Sequence, residues 1–489
     1  VRCSNIPVSL SLRHFACVRN IASASGSDSI AADIAIIIPP VPDPQSIYPT
    51  AFPAGQGMSK MKSELPAGVA SASGKQAADG FKLSKVEFIA LIAALMAINA
   101  LAIDVMLPAL SEIGSSLGVL TPNHHQYVVT VYLFGFAISQ LLYGPISDRF
   151  GRKKPLLIGI GIYIVTSLAC VWVPEFNMLL ALRFLQGIGA AATRVMTVSI
   201  VRDRYSGRAM AEIMSLAMMV FMIVPVIAPA TGEVILFFSE WHMIFGFMAF
   251  FACVIGLWAY ARMPETLAPE NRRPFTTKSV ISGFGIVIGN RVAFCYTLAA
   301  SFMLGSLFGF INSAQQIYVG IYDLGRGFPL AFAAVAAFMA LSAFLNSRMV
   351  GRFGMRRISQ TLLITFISLS LLLFLLSVFF DGPVPFPIYI VIFALIMFCF
   401  GSIGGNFNAL AMEPLGQVAG TASSVLGFVQ SLTGAAIGML IGQSFNGTTV
   451  PMALGYFIVG AIAMVFVLIA EQGKLFRAVS PSPQHVIEK

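Results

Sequence analysis

Gly144-Pro145-Ile146-Ser147-Asp148-Arg149-Phe150-Gly151-Arg152-Lys153-Lys154 closes an apolar run that spans roughly 125–146. Its last seven residues return in altered form about 200 positions later as Gly351-Arg352-Phe353-Gly354-Met355-Arg356-Arg357, again directly behind an apolar run. A glycine-centred basic turn at the same place in two stretches of one chain points to an internal duplication. The flanking sequence shows what is duplicated. Apolar runs at roughly 86–109, 125–146, 155–173, 177–200, 210–236 and 242–262 lead into a polar stretch from Met263 to about Gly283. A second six follow at roughly 291–314, 328–350, 359–380, 386–410, 419–442 and 449–470. Each is close to the ~20 residues that cross a hydrocarbon core. The prediction is an all-α integral membrane protein, with twelve transmembrane helices in two six-helix pseudo-repeats.

Composition agrees with a bilayer as the main solvent. Of 489 residues, 57% are hydrophobic and 10% charged, against about 25% charged in a soluble domain. The net charge of +9 would suggest nucleic acid in a soluble protein, but its basic residues fall in a few short loops. Arg149, Arg152, Lys153 and Lys154 follow span 2, Arg202, Arg204 and Arg208 follow span 4, Arg262, Arg272, Arg273 and Lys278 follow span 6, and Arg348, Arg352, Arg356 and Arg357 follow span 8. The positive-inside rule then places the even-numbered loops and both termini in the cytoplasm.

The predicted organisation is an N-terminal extension over 1–80, a first bundle over 81–263, a cytoplasmic linker over 264–284, a second bundle over 285–470 and a cytoplasmic tail over 471–489. Ser, Ala, Gly and Pro dominate the extension, with Pro39, Pro40, Pro42, Pro44, Pro49 and Pro53 among them, so it is expected to be disordered. Two readings fit it: a transit peptide around Arg2, Arg13 and Arg19, or an upstream stretch ahead of a natural start at Met58 or Met61. The six cysteines form no C-x-x-C pair and the five histidines lie outside the spans or at their ends. No metal site, cofactor or catalytic cluster is therefore expected, and an enzyme is disfavoured.

Four segments resemble the major facilitator superfamily, and within it the twelve-span drug:proton antiporters of the bicyclomycin-resistance (Bcr/CflA) type. The loop quoted first resembles the superfamily pattern G-x-x-x-D-R-x-G-R-[KR]-x. The resemblance implies a cytoplasmic latch built from Gly144, Asp148, Arg149, Gly151 and Arg152, in which Asp148 pairs with Arg152 or meets a helix N-terminus of the facing half. In the second copy Gly351 stands in place of the acid, so a weaker latch is expected there. Leu182-Arg183-Phe184-Leu185-Gln186-Gly187-Ile188-Gly189-Ala190-Ala191 resembles R-x-x-Q-G-x-G-A-A. Ala102-Ile103-Asp104-Val105-Met106-Leu107-Pro108-Ala109 resembles the D-x-x-x-P-A segment of the Bcr/CflA type. Val224-Pro225-Val226-Ile227-Ala228-Pro229-Ala230-Thr231-Gly232 is similar to the antiporter motif G-P-x-x-G, so Pro225, Pro229 and Gly232 are expected to kink span 5 and let it pack closely.

An arginine within a span is costly and ordinarily faces a partner or a water-filled cavity. Arg183 has two readings, a functional cation or a side chain that snorkels to the outer interface. Asp104 likewise reads as a proton carrier or as an outer-rim carboxylate before Pro108. Their depths match within a few Å at about 1.5 Å per residue, which makes Asp104 and Arg183 the expected proton-coupling pair. Glu233 reads as a second proton site or as outer-surface charge.

For substrate contact, the polar, aromatic and flexible residues available are Tyr132 and Phe136 in span 2, Met218 and Met222 in span 5, Phe302, Phe308 and Asn312 in span 7, and Gln430 in span 11. Met and Phe linings suit variable apolar ligands. What the resemblance implies is proton-coupled efflux of small, largely apolar drugs or organic molecules across a bacterial inner membrane. The coupling ion is the proton, the partners are small organic substrates and the lipid bilayer, and the working unit is a monomer. Proton-coupled symport of a specific solute on the same fold is the alternative.

Overall fold

Pro108 has no N–H to give the carbonyl of Asp104, so the first span cannot continue as regular helix past that point. In the computed structural model, which describes residues 83–205, 207–272, 277–380 and 382–476, α1 (Lys85–Asp104) stops there. The chain continues through a 3-10 turn, Leu107–Ala109, into a short helix, Leu110–Ser116. Ser84 caps the start of α1 by accepting the Glu87 N–H at 3.1 Å.

Eleven further long helices follow: α2 (Tyr127–Phe150), α3 (Lys153–Val171), α4 (Phe176–Arg204), α5 (Gly207–Phe238) and α6 (His242–Arg262), then α7 (Arg291–Gln315), α8 (Phe328–Phe353), α9 (Met355–Phe379), α10 (Phe386–Met412), α11 (Ala419–Gln443) and α12 (Val450–Ala470). Among the described residues, eleven helical stretches are long and apolar enough to cross a membrane, and α5 is the twelfth long helix. Pro225 and Pro229 both lie inside α5. The predicted extension over 1–80 and the end of the tail from 477 lie outside the described residues.

The duplication is visible in the packing. Within the first half α1 packs on α4, α5 and α6, α2 on α4, and α3 on α4 and α6; within the second, α7 packs on α10, α11 and α12, α8 on α10, and α9 on α10 and α12. Every one of the first set has its counterpart six helices later. The halves meet through α2 against α11 and α5 against α8, which are themselves counterparts. The basic turns repeat too: Gly151 ends α2 at φ 88° and Gly354 ends α8 at φ 79°. That left-handed conformation is one glycine adopts without a Cβ penalty.

One predicted boundary shifts. A helix over Thr277–Gly289 straddles the expected start of the second bundle at 285 and packs on α11. Asn290 breaks the chain after it and caps α7, accepting the Ala293 N–H at 3.0 Å. The second bundle therefore begins at Arg291; the apolar run Phe284–Ile288 belongs to the linker helix. At the other end, Glu471 is docked rather than free, since it accepts the Tyr296 hydroxyl at 2.7 Å and pairs with Arg356 at 2.8 Å.

Candidate functional site

Arg183 is completely buried in α4, which rules out snorkelling in this conformation. Its Nε donates to the Val128 carbonyl at 3.0 Å and its Nη2 to the Ala102 carbonyl at 3.0 Å. Nη1 donates to Gln186, whose amide in turn donates to Ser167. The ring of Tyr132 lies 4.4 Å from the guanidinium carbon, and the Tyr132 hydroxyl donates to Asn99 at 2.7 Å. Ala102 stands in the last turn of α1, where carbonyls have no helical donor. The guanidinium therefore ties α1, α2 and α4 together, and a planar fork suits several acceptors at once.

Asp104 is 3% exposed and its Oδ1 is buried without a hydrogen-bond partner. It and Arg183 are at matching depth, since Arg183 binds the carbonyl of Ala102 two residues away. They form no ion pair in this conformation. Depth was readable from residue counts, but azimuth was not, and the fork is occupied by neutral acceptors. Gly232 of α5 fits against the same break: a Cβ built on it would overlap the Val105 carbonyl and stand 3.4 Å from Cδ of Pro108. Glu233, the next residue, is half-buried.

At the basic face, Arg152 is 3% exposed and pairs with Asp148 at 2.7 Å and with Asp203 of α4 at 2.8 Å. Burial alone would pull its guanidinium down, but the hydrogen bonds to Asp203 and Asp148 outweigh that and hold it above the usual arginine range. Glu265 accepts the backbone N–H of Arg152 at 2.7 Å and of Lys153 at 3.2 Å, where the first turn of α3 favours a carboxylate. Of the two expected arrangements for Asp148, the pairing with Arg152 is the one seen. Arg149 stands apart, exposed over the Phe150 ring at 5.3 Å. Gly144 faces the other half, its Cβ position 2.9 Å from the Ser424 hydroxyl of α11.

The second copy differs from the expectation of a mere weakened latch. Arg356 pairs with Glu413 behind α10 and with Glu471 behind α12, both at 2.8 Å. Carboxylates from other loops replace the one missing at Gly351, and they were missed because they lie 57 and 115 residues away.

Residues 92–439 match the family model of the Major Facilitator Superfamily. The chain belongs to the major facilitator superfamily. It is 32% identical to a bicyclomycin resistance protein homolog of Haemophilus influenzae over 75% of this chain and 90% of that one. It is 28% identical to multidrug resistance protein MdtL of Salmonella dublin, covering 75% of this chain and 90% of the relative. Among solved structures, the xylose transporter XylE of E. coli in a partially occluded inward open conformation superposes with a TM-score of 0.58 at 13% identity, over 79% of this chain and 97% of that one. A multi-pass transporter that binds small organic substrates within the membrane is the reading these share.

In this superfamily member the face opposite the basic one is closed by amides. Asn123 Nδ2 donates to the carbonyls of Gln443 at 3.0 Å and Phe445 at 2.9 Å, and Gln443 Nε2 donates back to the Asn123 carbonyl at 2.6 Å. Gln316 donates to Asn123 Oδ1 at 2.8 Å, Gln126 donates to Gln316, and Gln315 reaches Ser111 at 2.8 Å. Asn408 of α10 is exposed, and a Cβ on Gly404 or Gly405 would meet nothing within 4 Å.

The proposed substrate contacts fall unevenly. Tyr132 is fully buried beneath Arg183, and Phe136 is 6% exposed and stacked on it at 6.5 Å; in this conformation both serve packing. Phe308 is 7% exposed beside Gly438, and Phe302 packs on Phe466 at 5.8 Å. Asn312 is buried between the halves, accepting from Thr130 at 3.4 Å while its Nδ2 has no partner. Gln430 donates to Asn408 at 2.7 Å. The side chains of Met218 and Met222 lie outside the described residues. One residue escaped the sequence reading: Arg194, partly exposed in α4 and ten residues from its basic end at Arg204. A second arginine deep within a span was the signal available.

Proposed function

We propose that this transporter exports small, largely apolar organic molecules, drugs among them, in exchange for protons. It acts as a monomer in a bacterial cytoplasmic membrane with both termini in the cytoplasm, and uses no cofactor beyond the coupling proton. The observation that carries this reading is the placement of Asp104. Its carboxyl is buried at the break of α1, with one oxygen unpartnered and Gly232 of α5 pressed on the next residue.

A carboxylate without partners is costly to keep in a low-dielectric interior, whereas a neutral acid costs far less. When the amide clasp of Asn123 and Gln443 opens, water reaches Asp104 from outside. When it closes, as here, the carboxyl is carried shut off from that side. Arg183 grips the carbonyl of Ala102, so movement of α4 against α1 changes how strongly the guanidinium acts on Asp104. A substrate entering from the cytoplasmic side supplies that movement, and the proton leaves inward as the substrate leaves outward.

Export rather than import rests on the relatives named for bicyclomycin and multidrug resistance. Overexpression in a drug-sensitive bacterial host, with accumulation of a fluorescent drug as readout, tests the direction. Lower accumulation than in the empty-vector control supports export. Raised accumulation that collapses with a protonophore would establish symport instead.

A further inference from the structure

A groove of about 390 Å³ runs between α2 and α3, with Ile188 of α4 on its floor. α4 packs against both α2 and α3, which fixes the groove's shape. Leu142, Phe150 and Ile158 line its walls and are themselves exposed, so it opens on the outer surface of the spanning helices. Lys154 stands at the end nearest the basic face and Ser139 at the other. From Phe150 to Ser139 is eleven residues of α2, about 16 Å. At the basic end the charge is uncommitted. Lys154 is exposed, and the guanidinium carbon of Arg149 lies 5.3 Å from the ring centroid of Phe150. Neither meets a carboxylate among the described residues, whereas Lys153 donates to the Tyr260 carbonyl at 2.8 Å and Arg152 is paired with Asp148 and Asp203.

Two hydroxyls in the groove, those of Ser139 and Tyr143, have no hydrogen-bond partner among the described residues, although the side chains are 4% and 8% exposed. The second half treats the same positions differently. Counted back from Gly354 as Ser139 and Tyr143 are from Gly151, the equivalents are Ser342 and Asn346. Both are committed to α10: the Ser342 and Ser402 hydroxyls bond at 2.6 Å, and Asn346 and Asn406 exchange two amide bonds at 3.1 and 3.0 Å. A buried donor without an acceptor is costly, so the first half's version suits a guest that brings acceptor oxygens. The Tyr143 hydroxyl is 3.3 Å from where a Cβ on Gly159 would stand, five residues or about 7.5 Å along α3 from Lys154.

We infer that this groove is a binding site for an anionic phospholipid, with one acyl chain lying between α2 and α3 and the phosphate-bearing head group at Lys154 and Arg149. A basic pocket between spanning helices at a membrane face is the arrangement that selects acidic head groups. The ester oxygens below the phosphate supply the acceptor for Tyr143, which a hydrocarbon guest would leave unpaired. The site lies on the flank of α2 that faces α3 and is independent of the direction of transport.

The test titrates the purified full-length protein in detergent with dioleoylphosphatidylglycerol or dioleoylphosphatidylcholine, which share their chains and differ in head-group charge. Native mass spectrometry gives the affinity for the first lipid bound. Wild type should prefer the anionic lipid by tenfold or more, at about fivefold for each basic residue beside the head group. Lys154→Gln should cut that preference about fivefold. Ser139→Phe, which fills the inner end of the groove, should weaken both lipids and leave their ratio unchanged. Thermal unfolding identifies a variant that fails to fold, in which case Ile158→Trp at the exposed wall replaces Ser139→Phe. A wild-type ratio near 1, or an unchanged ratio in Lys154→Gln, overturns the inference. Undiminished lipid binding in the folded groove-filling variant overturns it too, because the head group would then be held by surface charge alone. A wild-type lipid ratio near 1 together with binding of the uncharged dye N-phenyl-1-naphthylamine that is lost in the groove-filling variant would give the groove to an apolar solute instead.

Discussion

Gly232 of α5 lies so close to the backbone carbonyl of Val105 in α1 that a Cβ on the glycine would overlap it. The contact joins the antiporter-like motif to the residue after Asp104, at the point where Pro108 forces α1 to break. Any side chain there must push α5 from α1. Gly232→Ala is expected to cut drug resistance several-fold and Gly232→Leu to abolish it, at unchanged membrane levels on immunoblots. Normal resistance in Gly232→Leu would show that this contact is dispensable.

Arg183 is expected to be intolerant even of lysine. Three of its nitrogens serve Val128, Ala102 and Gln186, and an ammonium cannot span that fork. Leaving a buried acceptor without its donor costs about 1–3 kcal/mol. Arg183→Lys and Arg183→Ala should both lower the unfolding temperature in detergent and stop transport. If Arg183→Lys melts and transports as wild type does, the guanidinium geometry is irrelevant.

The two basic-face clusters share their load among several carboxylates. Arg152 keeps Asp203 when Asp148 is neutralised, so Asp148→Asn should be milder than the double change Asp148→Asn with Asp203→Asn. Arg356→Ala should impair transport as much as Arg152→Ala does, because Glu413 and Glu471 give it two partners of its own. Transport rates in proteoliposomes check both orderings. An inert Arg356→Ala would return the second copy to the status of a vestige.

The clasp between Asn123 and Gln443 holds the far face shut with uncharged groups. Replacing both by alanine should shift the population outward-open. Thr130, 1% exposed in the closed form, then becomes reachable from outside when changed to cysteine. Labelling by a membrane-impermeant maleimide on intact cells should rise several-fold in the clasp variant. No rise would mean that other contacts close this face.

Much of the fold was legible because a bilayer imposes a strict length and polarity on every span, and because Gly151 and Gly354 mark equivalent turns by requiring a left-handed backbone. The site was legible in its parts and not in their relations. Asp104 and Arg183 stood out as ionisable groups where such groups are costly, but counting residues fixes depth and not facing, so their separate attachments could not be foreseen. Asn123, Gln126, Gln316 and Gln443 gave no signal at all, since neutral amides near helix ends are ordinary and only the packing of the two halves joins them. Arg194 did give one, overshadowed by the stronger motif eleven residues before it.

Whether Asp104 carries the coupled proton can be read in everted membrane vesicles with an acidified lumen and a pH-sensitive dye. Adding a drug that the wild-type protein exports should release protons from the lumen, and in vesicles bearing equal amounts of Asp104→Asn the same addition should leave the lumen acid. Drug-induced proton release at the wild-type rate in Asp104→Asn would mean that another group carries the proton.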